Sequence, residues 1–288
     1  IVLFIISILL LGKSMNKSII FSLLFTLSFT ACAKTASDNY FGEQQSSSKK
    51  EYESFRKNIA KAFENQIPKE WGENVSGVKT KLDTNEKVIA LTMDACGSPL
   101  GMAYDEKLID FLKKENIPAT LFINARWIDK NLNTFKTLAS NPLFEIANHG
   151  LEHKPASVNG KSIYGLDGSK NIEEFVDEIE LNARKIESIT HKRPKYFRSG
   201  TAYYDEVAVK VSNTLHHEVI GFSILGDAGA TYTKEKVENA FLKAKNGEIV
   251  IIHMNHPQSQ TADGTIKAIK ELKQKGFRFV RLSDYKLK

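Results

Sequence analysis

His149 and His153 stand four residues apart, directly after the apolar run Phe144–Asn148. If the chain turns helically beyond that run, residues at i and i+4 lie about 5–6 Å apart on one face. Two imidazoles at this spacing can converge on one divalent ion, about 2.0–2.1 Å from each nitrogen. Taken alone, the pair reads equally well as two loop or cap residues. Other strand-like runs, however, also end in reactive side chains. Asp94 and Cys96 stand in Thr92-Met93-Asp94-Ala95-Cys96-Gly97, and Arg198 in Phe197-Arg198-Ser199-Gly200. Asp227 stands in Leu225-Gly226-Asp227-Ala228-Gly229, and His253 in Ile252-His253-Met254-Asn255-His256. These are the side-chain types that hold a metal, move protons and orient one another during hydrolysis.

The elements that must position these groups alternate along the chain. Strands are expected at Val88–Met93, Ala119–Asn124, Phe144–Asn148, Tyr196–Arg198, 218–224, 248–254 and Phe277–Leu282. Helices are expected at Asp105–Glu115, on to about Ala139 after the second strand, at Asn171–Thr190, and at 204–216, 233–245 and 262–275. Strict β/α alternation implies parallel strands with helices outside. No Gly-rich phosphate loop follows the first strand, so about seven strands are expected to close into a (β/α) barrel rather than a nucleotide-binding open sheet. In such barrels the active residues gather at the carboxyl ends of the strands. Loop 154–170, rich in Gly, Ser and Lys, is long for a compact domain and is expected to wall the cleft.

At 288 residues the chain is long enough for a one-domain α/β barrel. Segment 1–31 holds Lys13 and Lys17 and no acid, so its removal takes the net charge from +6 to +4. That excess, spread over a large surface, gives no reason to expect a nucleic-acid partner. Met15-Asn16-Lys17 followed by apolar Ser18–Thr30 has the form of a signal peptide, and residues 1–14, which contain no Met, read as upstream read-through. Leu27-Ser28-Phe29-Thr30-Ala31-Cys32 resembles a bacterial lipoprotein signal, in which Cys32 is lipidated and becomes the new amino terminus. The other reading is secretory cleavage after Ala31-Cys32-Ala33. Either way the body lies outside the cytoplasm, as a membrane-anchored lipoprotein or a secreted protein. With Cys32 lipidated, Cys96 has no partner for a disulfide. Residues 32–50 read as a flexible tether and residues 51–85 as an amphipathic helix and lead-in. In that helix Phe55, Ile59, Phe63 and Ile67 recur every fourth residue up to Pro68. Residues 86–288 form the catalytic domain.

In this order, the strand-end motifs resemble those of the NodB-homology polysaccharide deacetylases, carbohydrate esterase family four, over about residues 86–283. The resemblance implies a deformed (β/α) barrel that binds a divalent metal, usually Zn2+, and removes acetyl groups from N-acetylated sugars. It implies His149 and His153 as metal ligands and Asp94 as general base. It further implies Arg198 as the tether of that base, His253 as general acid and Asp227 as the group that orients it. Tyr203 and Asn255 are expected to touch substrate. The partners implied are an N-acetylated glycan, such as peptidoglycan or a poly-N-acetylhexosamine, and a membrane through the lipid anchor.

The sequence also departs from the family pattern. The second Asp of the T-F-D-D motif, normally the third metal ligand, is Ala95 here; Cys96, Asp94 or water can stand in. Arg198-Ser199-Gly200-Thr201-Ala202-Tyr203 replaces the R-P-P-Y-G run, and Gly229-Ala230-Thr231 follows Asp227 without the usual tryptophan. Alternative readings are metal-independent hydrolysis of a cyclic imide or ureide C–N bond and a non-catalytic glycan-binding lipoprotein. Among the other residues, Asp105 reads as a helix cap and Trp127 as core. His191, His216 and His217 read as solvated.

Overall fold

A computed structural model describes residues 46–288; the signal segment, Cys32 and the tether up to residue 45 lie outside the described residues. The strands are β1 (Val88–Ala95), β2 (Ala119–Ile123), β3 (Phe144–Asn148), β4 (Ser162–Ile163), β5 (Leu166–Asp167), β6 (Tyr196–Phe197), β7 (Glu218–Val219), β8 (Ile224–Leu225), β9 (Glu248–His253) and β10 (Arg278–Val280). The helices are α1 (Ser46–Phe63), α2 (Glu106–Lys114), α3 (Ala125–Lys130), α4 (Leu132–Ser140), α5 (Ile172–Thr190), α6 (Glu206–Thr214), α7 (Lys234–Phe241) and α8 (Thr261–Gln274).

All seven expected strands form, and all pair in parallel, in the order β7-β6-β3-β2-β1-β9-β8, with β10 beside the first half of β1. The expected fifth strand, 218–224, is broken into β7 and β8. These two pieces are the opposite edges of the sheet, yet only residues 220–223 separate them in the chain. The sheet therefore curls back on itself as a deformed (β/α) barrel. The lead-in helps fasten the break, bridging Lys79 to Ile220 and Lys81 to Glu248. Gly221 leaves room for it, since a Cβ there would lie 3.0 Å from Val78.

Strand alternation divides the core. Along β1, Ile89, Leu91, Met93 and Ala95 pack outward into one cluster with the helices, while Val88 and Ala90 pack inward with Phe122, Ile249 and Val280. Thr92 and Asp94 continue the inner row. Period two thus sends Ala95 to the helical layer and Asp94 to the barrel interior.

Two boundaries differ from the sequence reading. Helix α1 begins at Ser46, so residues 46–50 are helical rather than tether, and it ends at Phe63. Ile67 is 79% exposed and does not belong to the apolar stripe. The helix is held to α5 by its buried face, where the Tyr52 hydroxyl donates to Asp177 at 2.6 Å and Arg56 pairs with the same carboxylate at 2.8 Å. Loop 154–170 is not structureless, because β4 and β5 form an antiparallel hairpin within it. Asp105 caps α2 through Leu108 N, and Trp127 is fully buried, as expected. Among the described residues no helix is long and apolar enough to cross a membrane.

His217 is buried rather than solvated. Its Nδ1–H donates to the Leu215 carbonyl at 2.9 Å. Burial, reinforced by the charge of Arg193, lowers its pKa to about 4. The unfolded chain takes up a proton near pH 6.5, and the folded one refuses it until about pH 4, so stability is lost as pH falls through that window. From about pH 7 to about pH 5, urea unfolding should show a loss from this group of roughly 2 kcal/mol, absent in His217→Gln. Equal losses in the two proteins would mean that His217 titrates normally.

Candidate metal and hydrolytic site

The register of the strands carries the reactive groups to one end of the barrel. Asp94 aligns with His253 across β1 and β9, and Asn148 aligns with Phe197 across β3 and β6. His149 and Arg198 each follow one residue later, past the ends of their strands.

Arg198 is fully buried inside the barrel. Its Nη1 donates to Asp94 Oδ1 at 2.8 Å, and its Nε and Nη2 donate to the carbonyls of Ile220 and Gly221 at 3.2 and 2.8 Å. The guanidinium lies 4.2 Å from the centre of the Phe122 ring. Asp94 turns its other oxygen toward His149, with Oδ2 3.6 Å from Nε2.

The turn that presents the histidine pair rests on groups the sequence reading did not single out. Buried Asn124 donates to the carbonyls of His149 and Gly150 at 3.1 and 2.8 Å. Buried Glu178 of α5 accepts from the backbone N–H groups of Glu152 and Lys154 at 2.9 and 3.0 Å. Burial raises the Glu178 carboxyl to about 7, against the pull of these two donors. His153 adopts a left-handed backbone, φ 63°, and Gly200 comes so close that a Cβ there would be 2.2 Å from the His153 carbonyl oxygen. Asn124 ends a strand in the sequence, and that was the only signal; Glu178 lies inside a helix pattern and gave none.

Among the described residues, one set of potential metal donors converges: Cys96, His149 and His153, whose ligand atoms lie within 4.8 Å of one another. Of the two side chains expected to replace the missing carboxylate, Cys96 is the one that joins the histidines. The carbonyl of Arg198 lies 3.0 Å from His149 Nδ1, and since a carbonyl only accepts, Nδ1 carries the proton. The Nε2 atom then faces Cys96 Sγ at 3.7 Å, and in the neutral ring its lone pair is free. The two imidazole rings stand edge to face, 4.9 Å apart. His153 Nε2 is buried with no hydrogen-bond partner, an expensive condition unless another ligand completes it. A thiol and two imidazoles form a donor set suited to zinc. Burial opposes ionisation of the Cys96 thiol, but the charges of His153 and His253 and hydrogen bonds from His149 and His153 outweigh it and hold the thiol well below its usual range. Burial likewise opposes the charge on His149, and Asp94 with Cys96 overcomes it, raising that imidazole. Thus the residues fit a divalent ion.

Beside this centre His253 is clamped by Asp227. The carboxylate accepts from His253 Nδ1 at 2.9 Å and from the His253 backbone N–H at 2.7 Å, and Thr261 donates to it at 3.1 Å. Burial works against charge on His253, but the carboxylate of Asp227 and the neighbouring Cys96 raise its pKa well above the usual range. Asp94 and His253 both line a cleft of about 410 Å³. Tyr164 and Leu166 of the hairpin wall this cleft, together with Glu73 from the lead-in.

Residues 81–220 match the family model for polysaccharide deacetylase. A peptidoglycan-N-acetylglucosamine deacetylase of Bacillus cereus is 28% identical over 211 residues, 72% of this chain and 92% of the relative. This chain is a NodB-homology polysaccharide deacetylase of carbohydrate esterase family four. A peptidoglycan-N-acetylmuramic acid deacetylase of Bacillus subtilis is 22% identical over 234 residues, 76% of this chain and 81% of the relative. Among solved structures, a peptidoglycan N-acetylglucosamine deacetylase superposes with a TM-score of 0.62 at 22% identity, covering 73% of this deacetylase and 92% of that chain. A carbohydrate esterase family four pseudoenzyme of Bacillus anthracis superposes with a TM-score of 0.60 at 22% identity, covering 74% and 70%. These superpositions establish the shared fold. The reaction class is that of a deacetylase-type hydrolase, and its chemistry rests on this site's own residues.

Two expected substrate contacts sit differently. Asn255 is fully buried, and its amide donates to the Gly101 carbonyl at 2.9 Å, tying the loop after β1 to the loop after β9. It is not among the residues lining the cleft. Tyr203 packs between Trp71 and Tyr164, with ring centroids 5.8 and 5.6 Å away.

Replacing Arg198 by Met keeps the volume but leaves Asp94 and the Gly221 carbonyl without this donor, and leaves the Ile220 carbonyl with the Tyr204 hydroxyl at 3.1 Å. Urea unfolding should report a loss of about 3–5 kcal/mol, with Arg198→Lys recovering only part, since one ammonium cannot serve all three acceptors. A loss below about 1 kcal/mol would mean that the barrel does not depend on this guanidinium.

Proposed function

We propose that this deacetylase is a metal-dependent hydrolase that removes N-acetyl groups from an envelope or extracellular glycan, peptidoglycan or a poly-N-acetylhexosamine. We also propose that lipid on Cys32 holds it to the membrane outside the cytoplasm. The observation that carries the catalytic reading is the convergence of Cys96, His149 and His153 beside the Arg198–Asp94 and Asp227–His253 pairs. The names of the Bacillus relatives support peptidoglycan as the substrate class.

Cys96, His149 and His153 would hold the ion, and zinc suits their softness. When bound, it supplies Lewis acidity toward the acetyl group. The rest falls to the chain's own side chains. Arg198 occupies Asp94 Oδ1 and leaves Oδ2 facing the centre, so the carboxylate is held as a proton acceptor for the water that attacks the amide carbon. As the C–N bond breaks, the departing amine needs a proton. His253 carries one, because Asp227 holds the imidazolium and fixes the tautomer with Nδ1–H toward itself. The proton from water thus goes to Asp94, the proton on His253 goes to nitrogen, and acetate and a free amine leave. Activity should fall on the alkaline side as His253 loses its proton, at a pH above the ordinary histidine range because its pKa is raised.

Metal analysis of the purified protein should find about one divalent ion per chain, lost in His149→Ala and bound more weakly in Cys96→Ser by a factor of about 10 or more. Acetate release from a panel of N-acetylated glycans should stop with a strong chelator, and Asp94→Asn should lower kcat by about 10²–10⁴. Absence of bound ion together with chelator-resistant activity would overturn the metal-dependent reading. Bound ion with no acetate from any glycan would point instead to a binding-only protein. Separately, Cys32→Ser should move the protein from the membrane fraction to the soluble extracytoplasmic fraction.

A further inference from the structure

One wall of the cleft is not needed for the proton transfers. The hairpin turn between β4 and β5 is Tyr164-Gly165, and both residues have positive φ, 56° and 75°. That is the two-residue turn that Asn-Gly or Gly-Gly fills at least cost, and a tyrosine in its first position is strained. The strained ring is not used to fill the core, since Tyr164 is 68% exposed. It lines the cleft that holds Asp94 and His253. Leu166 and Leu225, on the same lining, are 43% and 41% exposed, so the wall keeps apolar surface in water beside the reactive groups. Such surface next to a polar site marks a binding region more often than a packing fault.

The wall is also braced from two distant parts of the chain. Tyr164 meets Tyr203 edge to face, and Tyr203 packs on Trp71 of the lead-in, over which Lys161 Nζ sits at 5.7 Å. The lead-in is tied down where Gly72 and Tyr204 exchange backbone hydrogen bonds of 3.1 and 2.9 Å. The next residue, Glu73, brings a carboxylate to the lining. An aromatic face, flanking leucines and one carboxylate complement a ring with an apolar C–H face and a hydroxyl-bearing edge.

We propose that Tyr164, braced by Tyr203 and Trp71 and flanked by Glu73, forms a subsite for a second pyranose ring, next to the N-acetylated ring whose acetyl group is removed. The ring stacks on the Tyr164 face, and its hydroxyls donate to Glu73. Ala228 and Gly229, which follow Asp227, line the same cleft and carry no ring of their own. This subsite rests on the glycan-deacetylase reading above, and its test is separable from that reading.

The test uses the full-length protein carrying Asp94→Asn to prevent turnover, titrated with the β-1,4-linked tetramer of N-acetylglucosamine by calorimetry and by Trp71 emission. Tyr164→Asn keeps a residue that tolerates the left-handed turn and removes the ring, so it should weaken tetramer binding by about tenfold. Tyr164→Phe and Tyr164→Trp should stay within about threefold of the parent, because the ring face is retained. Undiminished affinity in Tyr164→Asn, or no tetramer binding by the parent, overturns the subsite. Tyr164-dependent binding without acetate release from the Asp94 protein would uphold the subsite and remove the catalytic reading. Acetate release with Tyr164-independent affinity would do the reverse.

Discussion

A buried guanidinium holds this barrel and its chemistry together. Arg198 lies at the point where the sheet fails to close, and its donors meet the carbonyls of Ile220 and Gly221 that the break between β7 and β8 leaves exposed to the interior. A buried carbonyl without a donor is costly, and a buried charge without a counter-charge costs far more. Asp94 answers the charge and the carbonyls take up the remaining donors, so each of these groups makes the others tolerable. Removing Arg198 strands Asp94 and the Gly221 carbonyl, and removing Asp94 strands the charge. The fold thereby fixes a carboxylate at the mouth of the barrel in a single orientation, with one oxygen held and the other free.

The metal-binding face follows from strand geometry. Side chains alternate along β1, so residue 95 packs outward among the helices while Asp94 faces the interior. An alanine suits the outward position, since it buries no polar group. Cys96, one residue past the strand, comes back to the inner side and meets the two histidines. A thiol is a softer donor than a carboxylate, and softer donor sets suit zinc better than the ions that prefer oxygen. Because the thiol also neighbours His253, Cys96 and that imidazole share one electrostatic field.

The site therefore has two supports of different kind. Asp94 and His253 sit on strand ends in register and owe their positions to the sheet. His149 and His153 sit on a turn held by buried amides and a buried carboxylate, Asn124 and Glu178, that reach the turn from other elements. The outer wall, with Tyr164 and Glu73, is assembled from a hairpin and the lead-in, neither of which belongs to the sheet.

Sequence by itself determined the parallel β/α alternation and the placement of Asp94, His149, His153, Arg198, Asp227 and His253 at strand ends. Both follow from local periodicity and short-range chain order. The family likeness followed from the same motifs. Tertiary structure alone decided the rest. It split strand 218–224, because closure of the barrel is a property of the whole sheet. It buried His217, expected to be solvated, and Asn255, expected to touch substrate. It brought Cys96 together with both histidines and set Asp94 Oδ2 3.6 Å from His149 alone. It also carried Glu73 to the cleft from a region with no motif, beside Tyr164 of the loop expected to wall it. Residues that act where their own strand ends leave a mark in the chain, whereas contacts between distant segments depend on how the layers pack, and no local pattern encodes that.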